Sequence, residues 1–537
     1  MNPTRSPPSK DGALPSSVPS SADAIGLADE MDRRVNRGTF ILVLSTVAFF
    51  ALTFLGRVAT ARSISIPAWG LFNLGVSFTA LLSTVILLGL NNAVARSLAR
   101  EKSTAEQRAI IRWSLLVSGV LSTAASVLTF VFARQIALVF HDPGLTLVLE
   151  LLAVSVGIGA ITPVFASVFQ GYQDVLPNAL FNNVVNPAIF LVFVLALLAF
   201  GWGLDAALVA YVIADIAGLV GCVWYYAHRI RLHLPPDPAP VGRPKSELWT
   251  LSLALWGLSS LAFLTAYADT LILGAYSSAA NVGYYSTAMS LARILLIGAS
   301  ALTFVFLPVA ARLARDEAYL AMRRAYTIAA RWILLLSIPL FLLFLLLPSQ
   351  SVEAVFGRRY AAAALPLELL SVTAFVSSII GPANACLAGI GRNRANLATA
   401  ALSAVVNIVL SFALIPKYGV VGAAVSWGVA RALYPLSALL ILYRDYGIHP
   451  FRPILLRPMF ITLALTAPVF LAVPFLTGAS WVVYPLFFVG TGIFIGVIIA
   501  TRSLVQDDLI FVVALEKLTR HPLPGLRTFV SRRYSEV

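Results

Sequence analysis

The sequence is poor in charge. Only 12% of its 537 residues are Asp, Glu, Lys or Arg, whereas 59% are hydrophobic, and the mean hydropathy is +0.87. A soluble chain of this length carries roughly twice that charged fraction to cover its surface. The composition therefore argues against a soluble fold and predicts an all-α polytopic membrane protein.

Cysteine and acidic residues are also scarce. The two cysteines, Cys222 and Cys386, lie in apolar runs without a partner at metal-ligand spacing, so we expect neither a disulfide framework nor a metal site, and no cofactor. The 38 basic residues exceed the 24 acidic ones. Because they cluster between apolar runs, they indicate membrane topology rather than nucleic-acid binding.

What the sequence has in abundance is apolar runs long enough to span a bilayer. A spanning helix needs about 20 mostly apolar residues, and on that basis we predict about 14 of them. They lie near residues 38–60, 68–94, 110–133, 145–169, 178–200, 204–227, 249–273, 282–308, 327–347, 361–386, 396–415, 420–443, 455–476 and 481–501.

The basic clusters set the orientation. With the N-terminus inside, most arginines and lysines fall on the cytoplasmic side, so we expect both termini to be cytoplasmic in a multi-pass cell (inner or plasma) membrane protein. We predict a disordered cytoplasmic tail, two lobes joined by a cytoplasmic linker, two extra helices and an amphipathic basic tail on the inner leaflet. These segments are 1–36, 37–227 (N-lobe), 228–248 (linker), 249–446 (C-lobe), 453–502 and 503–537.

The chain repeats itself. The stretches VARSLARE, GLFNL, GYQDVLPN and GLDAALVAYVIAD recur in the same order as VAARLARD, GYYST, GIGRNRAN and GVVGAAVSWGVAR, at offsets of 213 to 218 residues. Each copy holds about six predicted helices, so both enter the membrane in the same sense. We expect two six-helix lobes related by a pseudo-two-fold axis along the membrane normal, with the substrate path between them.

Three groups of segments carry a family resemblance. They are LGRVATARSISIPAWGLFNL with LGLNNAVARSLARE, ADTLILGAYSSAANVGYYSTAMSLARILL with FLPVAARLARD, and NACLAGIGRNRANLATAALSAVVNIVLSFALIPKYGVVGAAVSW. Over roughly residues 38–445 the chain resembles the MOP superfamily, a MATE-like fold, and within it the polysaccharide-biosynthesis flippases. The resemblance implies alternating-access flipping of undecaprenyl- or dolichyl-linked sugars through a cavity lined by basic residues.

Charges inside the predicted spans are few, and such residues usually face a bundle interior or a wet cavity. Arg57 and Asp269 lie thirteen and fourteen residues before the matched glycines Gly70 and Gly283. We interpret Arg57 and Asp269 as an outer gate whose ion pair closes the inward-facing state. Separate satisfaction by water or headgroups is an equal alternative.

A second matched pair also carries opposite charges. Asp215 aligns with Arg431, which suggests that charges of opposite lobes face one another, in a coupling or a structural pair. Arg293 and Arg431 fall near mid-depth, where an arginine fork suits a lipid diphosphate. We therefore predict substrate binding by Arg293, then Arg57 and Arg431, with Arg96 at the inner mouth.

Sugar recognition needs amide groups, and the predicted spans contain several. We assign Asn91, Gln170, Asn186 and Asn407 to substrate binding. Helix packing is the alternative role of intramembrane asparagine, and it is favoured for Asn186 and Asn407, which occupy matching contexts.

The function that follows is translocation of a lipid-diphosphate-linked oligosaccharide, a polysaccharide repeat unit, from the cytoplasmic to the outer leaflet. Lipid II flipping and MATE-like cation-coupled drug export are the alternatives. A membrane-embedded enzyme is not expected, because no long outer loop and no acidic metal-binding motif occur. We expect a monomer whose partners are membrane lipids, the polyprenyl-diphosphate-linked substrate, and glycosyltransferases or a polymerase of the same pathway.

Overall fold

The computed structural model describes residues 21–101, 103–230, 246–451, 453–476 and 480–500, and this part of the chain is helical without a strand. The N-terminal half contains α1 (Ser21–Ser63), α2 (Ile66–Ile86), α3 (Leu90–Arg100), α4 (Thr104–Val131), α5 (Ala133–Val139), α6 (Gly144–Gly171), a π-helix (Asn178–Val185), α7 (Asn186–Ala199), α8 (Leu204–Tyr225) and a second short π-helix (Tyr226–Ile230).

The second half contains α9 (Ser246–Tyr276), α10 (Ala279–Ala292), α11 (Ile294–Arg315), α12 (Tyr319–Leu346), α13 (Pro348–Phe356), a 3₁₀ turn (Arg358–Ala363), α14 (Ala364–Ile380), α15 (Pro382–Gly389) and α16 (Asn393–Tyr446). After it come α17 (Pro453–Leu476), a 3₁₀ turn (Ser480–Val482) and α18 (Val483–Ala500).

Ten helical stretches among the described residues are long and apolar enough to cross a membrane, and two shorter apolar ones lie in α17 and α18. The polytopic all-α fold is thus confirmed, while the number 14 stays a prediction. The expected eleventh and twelfth helices are the two arms of α16, which are separated by non-helical backbone at Gly419, so one of the ten stretches contains two of the predicted helices. The φ of 53° at Gly419 lies in the left-handed region that favours glycine.

The two lobes repeat the same packing. In the N-lobe α1 packs on α7 and α4 on α6; in the C-lobe α9 packs on the first arm of α16 and α12 on α14. Local signals repeat as well, because Ser65 and Ser278 cap α2 and α10 by accepting hydrogen bonds from Ala68 N and Asn281 N. The parallel two-lobe architecture is therefore built from equivalent elements.

Helix α1 begins at Ser21, earlier than the predicted tail allows. Residues 21–36, expected to be disordered, are helical, and their Ala, Leu, Glu, Met and Arg residues are good helix formers. The rest of the predicted tail (1–20), most of the linker (231–245) and the amphipathic tail (503–537) lie outside the described residues.

The lobes meet at the end of the bundle predicted to be extracellular. A Cβ on Gly70 of α2 would lie 1.7 Å from the carbonyl oxygen of Ala279, and one on Gly283 of α10 would lie 2.6 Å from that of Ile66. The buried Trp69 donates its indole N–H to Thr287 Oγ1 over 3.2 Å. Glycines at matched positions of the repeat thus let the two backbones touch.

The lobes also touch nearer the other end. Helix α2 gives way to α3 at Leu88 and Gly89, both with positive φ. The hydroxyl of Ser252 on α9 donates to the carbonyl oxygen of Leu88 (2.6 Å), and Trp256 Nε1 donates to that of Val85 (3.0 Å). Contacts at both ends bracket the polar interior, and Cys222 and Cys386 are fully buried, one in each lobe.

Candidate functional site

A cavity of about 620 Å³, here called the arginine chamber, lies between the lobes, mainly against the C-lobe. Arg293 enters it from the junction of α10 and α11, and Arg431 enters it from the second arm of α16. Its further lining residues are Phe50, Asn92, Leu261, Thr265, Ala266, Tyr267, Leu296, Ile297, Ser300, Ala400, Ser403, Trp427 and Tyr434.

The two guanidinium groups of the arginine chamber form no salt bridge within the part of the chain that the structure describes, although Asp269 lies close enough to Arg293 to interact with it electrostatically. Neither Arg293 nor Arg431 makes a hydrogen bond or an ion pair with another described residue. Arg293 is exposed to the cavity and Arg431 is half-buried, and they are close enough to influence each other electrostatically. The chamber therefore presents two guanidinium groups whose hydrogen-bond donors are not used by the described residues.

Arg57, in contrast, makes hydrogen bonds with neutral partners. Its Nη2 donates to Asn73 Oδ1 (2.5 Å), its Nε donates to Ser290 Oγ (2.9 Å), and its guanidinium lies 5.1 Å from the ring centre of Trp69. Arg293 is the nearby charge that acts on it. Arg57 thus lies near Arg293 and, through these two hydrogen bonds, links α1 to α2 and α10.

Asp269 does not form the expected ion pair with Arg57. It is 1% exposed, and its Oδ2 accepts a hydrogen bond from the hydroxyl of Tyr285, while its Oδ1 has no hydrogen-bond partner. Arg57 donates to Asn73 and Ser290 instead, so the lobes meet at this end through backbone packing and not through an Arg57–Asp269 salt bridge.

Asp215 and Arg431, the other matched pair of opposite charge, do not face each other either. Asp215 lies within the N-lobe and accepts a hydrogen bond from Asn186 Nδ2 (3.1 Å), whereas Arg431 lines the arginine chamber. The matched positions point into the interior of their own lobes, so the aligned charges occupy separate cavities.

Asp215 belongs to a second large cavity, of about 680 Å³, here called the amide chamber. Seven carboxamide side chains line it, with one carboxylate and mostly small or apolar residues. The amides are Asn91, Asn92, Gln170, Asn178, Asn182, Asn183 and Asn186. A smaller cavity of about 250 Å³ extends it past Asn91 and Asp215 toward Thr79 and Tyr211.

The π-helix Asn178–Val185 supplies most of these amides. A π-helix is wider than an α-helix, and such segments often occur at functional sites. Here it turns Asn178, Asn182 and Asn183 toward the same cavity, and Asn182 Nδ2 donates to Asn178 Oδ1 (2.8 Å). Asn183 Nδ2 donates across to Ser45 Oγ on α1 (3.2 Å).

A third cavity, of about 420 Å³, continues from the arginine chamber into the C-lobe. It shares Arg431 and Tyr434 with that chamber, and it is also lined by Asn384 and Asn396. Asn384 Nδ2 (2.9 Å) and the Tyr434 hydroxyl (3.4 Å) both donate to Asn396 Oδ1.

The remaining predicted residues divide into those that line a cavity and those that do not. Asn91, Gln170 and Asn186 line the amide chamber. Arg96 is exposed on α3 away from the described cavities, and Asn407 is fully buried, its amide unpaired among the described residues and outside the cavities. Asn178, Asn396 and Trp427 also line cavities, and they were not predicted from the sequence. For Asn178, its close spacing to Asn182, Asn183 and Asn186 could have indicated the shared cavity.

Solved structures share this architecture. An inward-facing multidrug resistance MATE family transporter of the MOP superfamily is 16% identical, with a TM-score of 0.61 over 76% of this chain and 98% of that one. The lipid II flippase MurJ in its inward closed conformation is 14% identical, with a TM-score of 0.68 over 86% of this chain and 99% of that one. A MOP superfamily transporter from Pyrococcus furiosus, whose reversed binding-pocket polarity suggests a different function, is 15% identical. It has a TM-score of 0.56 over 77% of this chain and 96% of that one. The fold is that of the MOP superfamily.

Sequence comparison identifies the family to which the chain belongs. Residues 35–314 match the model of the polysaccharide biosynthesis protein family, and the chain belongs to that family. Stage V sporulation protein B of Bacillus subtilis is 29% identical over 197 residues, which are 35% of this chain and 38% of that protein. The match thus spans well under half the length of this relative.

Proposed function

We propose that this protein is a flippase that moves a lipid-diphosphate-linked oligosaccharide from the cytoplasmic to the outer leaflet by alternating access. The observation that carries the proposal is the pair Arg293 and Arg431, which line one cavity and make no hydrogen bond or ion pair with a described residue. The family match, to polysaccharide biosynthesis proteins, supports a substrate of that pathway.

The charge of the arginine chamber fits a lipid diphosphate. Placing an arginine at the centre of a membrane helix costs about 2.5–3.5 kcal/mol on insertion scales, so two unpaired arginines in one cavity need a compensating ligand. A diphosphate offers several oxygens to planar guanidinium forks that bind phosphate in a bidentate manner. The apolar part of the same carrier lipid would remain in the bilayer.

The lobe contacts support alternating access. The Gly70–Ala279 and Gly283–Ile66 contacts close the end predicted to be extracellular, as expected for a state that precedes release of the substrate outside. We propose that parting of these backbones accompanies opening to the outer leaflet, in a monomer whose termini are cytoplasmic.

Two alternatives predict different substrates. A cation-coupled drug exporter fits the arginine chamber poorly, because unpaired guanidinium groups repel organic cations. Lipid II also carries a lipid diphosphate and would use the same arginines. A comparison of headgroups is therefore needed to separate it from an oligosaccharide substrate.

The test is flipping in liposomes that contain the purified full-length protein. A fluorescent polyprenyl-diphosphate trisaccharide is incorporated, and its exposure to an impermeant quencher is followed over time. The Arg293→Gln/Arg431→Gln variant should flip it about 100-fold more slowly, since each lost hydrogen bond to a charged group is worth about 1.5–3 kcal/mol. Lys417→Gln, an exposed cation outside the cavities, is the matched control and should be unchanged.

Equal flipping by wild type and the double-arginine variant would contradict the proposal. Preference for a probe whose sugar carries a pentapeptide would favour the lipid II alternative. Uptake of an organic cation without flipping of any lipid probe would favour the exporter.

A further inference from the structure

We propose that the amide chamber holds the glycan of the substrate and selects glycans without acidic sugars near the diphosphate. This inference rests on the proposed function and deepens it. It assigns the two halves of one headgroup to two chambers, with the diphosphate at the arginines and the sugars at the carboxamides.

The amide chamber has unused hydrogen-bonding capacity of the kind that sugars need. Each carboxamide offers two donors and an acceptor with two lone pairs, which matches hydroxyl groups that both donate and accept. Asn182, Asn183 and Asn186 use their nitrogens on Asn178, Ser45 and Asp215. Their own Oδ1 atoms accept no hydrogen bond from another described residue, so they are available to hydroxyl groups.

The local backbone presents these amides as a set. In the π-helix, Asn178, Asn182 and Asn183 share one face, and Asn186 follows at the first turn of α7. The bonds from Asn182 to Asn178 and from Asn183 to Ser45 hold the carboxamides in fixed orientations. Amides that served only helix packing would be buried in a helix seam, as Asn407 is, rather than lining a 680 Å³ cavity.

The two chambers are adjacent, as a covalently connected headgroup requires. Asn92 at the start of α3 lines both. On α1, Phe49 lines the amide chamber, and its neighbour Phe50 lines the arginine chamber. A diphosphate at Arg293 and Arg431 would therefore have its first sugars directed past Asn92 into the amide chamber.

Asp215 gives the amide chamber a charge preference. It is the one ionisable side chain among the residues lining this cavity, and its partner there is the neutral amide of Asn186. A carboxylate in a low-dielectric cavity repels a second carboxylate far more strongly than it would in water. Neutral, N-acylated or amino sugars fit this chamber, and uronic acids do not.

The experiment measures binding of three probes to the full-length protein in nanodiscs. The probes are polyprenyl diphosphate alone, the same lipid carrying a neutral disaccharide, and the same lipid carrying a disaccharide of hexuronic acid. Wild type should bind the neutral glycolipid at least about 10-fold more tightly than the bare lipid, as several hydrogen bonds of about 1 kcal/mol each would give. It should bind the uronic probe less tightly than the neutral one.

Two variants test the residues. Asn182→Ala/Asn183→Ala should lose about 10-fold in affinity for the neutral glycolipid and keep its affinity for bare polyprenyl diphosphate, which also shows that it is folded. Asp215→Asn should improve binding of the uronic probe about fivefold and leave the bare lipid unchanged. Asn281→Ala is the control, because this amide bonds Ser277 outside both chambers.

The outcomes separate the two proposals. If no lipid-diphosphate probe binds wild type, the proposed function fails and the glycan assignment fails with it. If the bare lipid binds but the sugars add no affinity, or if the asparagine variants weaken all three probes equally, only the glycan assignment is overturned. An unchanged preference in Asp215→Asn overturns the charge selection.

Discussion

The two lobes carry equivalent positions in opposite electrostatic states. In the N-lobe, Asn186 donates to Asp215, and both face the amide chamber. At the matched positions of the C-lobe, Asn407 is buried without a partner among the described residues and Arg431 lines the arginine chamber unpaired. The exchange of acid for base at matched positions thus gives one lobe a cavity with a carboxylate bonded to an amide and the other a cavity with a cation that is not hydrogen-bonded to a described residue.

The largest effect is expected where the lobes are most alike. Gly70→Ala would place a methyl group against the Ala279 carbonyl oxygen, a backbone atom that cannot move aside. Such overpacking costs about 3 kcal/mol, so the closed outer contact should become about 100-fold less populated. Thiol labelling of a cysteine introduced at Val282, which is fully buried next to Gly283, and the flipping rate measure the population of the closed contact.

Gly119→Ala serves as the control, since a Cβ there meets nothing within 4 Å. Labelling at position 282 that is no faster in Gly70→Ala than in Gly119→Ala would show that the glycine contact does not hold the outer end closed.

The next effect comes from making the C-lobe resemble the N-lobe. Arg431→Asp would remove one cation from the arginine chamber and let Asn407 find a carboxylate, as Asn186 does. We expect the affinity of Arg431→Asp for polyprenyl diphosphate to be about 30-fold lower than that of wild type. The affinity of Arg431→Lys should fall less, because lysine keeps the charge but lacks the planar guanidinium group. Binding in nanodiscs checks this, and equal affinity of wild type and Arg431→Asp would exclude Arg431 from the anion site.

A smaller effect, opposite in sign between the lobes, is expected from matched asparagine substitutions. Asn407→Leu removes a buried amide whose two polar atoms have no hydrogen-bond partner, so it should stabilise the protein by about 1 kcal/mol. Asn186→Leu leaves Asp215 without its donor and should destabilise it by a similar amount. Thermal unfolding in detergent measures both, and shifts of the same sign would refute the contrast.

A stability effect of comparable size concerns Asp269, whose near-equivalent in the N-lobe is Arg57. Arg57 has three neutral partners, whereas Tyr285 is the one described residue whose side chain donates a hydrogen bond to Asp269. Tyr285→Phe should therefore lower stability by about 1.5 kcal/mol, the lower end for a hydrogen bond to a charged group. Tyr284→Phe, at the adjacent residue, is the control, and equal unfolding temperatures for the two variants would argue against this bond.

Much of the fold could be read from the sequence. Hydropathy placed the apolar runs, and the recurrence of GLFNL as GYYST identified Gly70 and Gly283, the two glycines at the lobe contact. The break within α16 could be predicted too. The segment Pro-Lys-Tyr-Gly separates two apolar runs, and Gly419 at its end has the non-helical backbone that divides the two arms of α16.

Less of the candidate site could be predicted from the sequence. Counting residues from a helix end gives the depth of Arg57 or Asp215 but not the direction in which the side chain points, so the cross-lobe pairs were inferred from alignment alone. The π-helix widens the turn and changes which asparagines share a face, and periodicity of 3.6 residues does not reveal it.

The two native thiols have a practical consequence. Cys222 and Cys386 are shielded from solvent, one in each lobe. Labels directed to an introduced surface cysteine should therefore leave them unmodified, and distances between spin labels on the two lobes could be followed through a transport cycle in an otherwise unaltered chain.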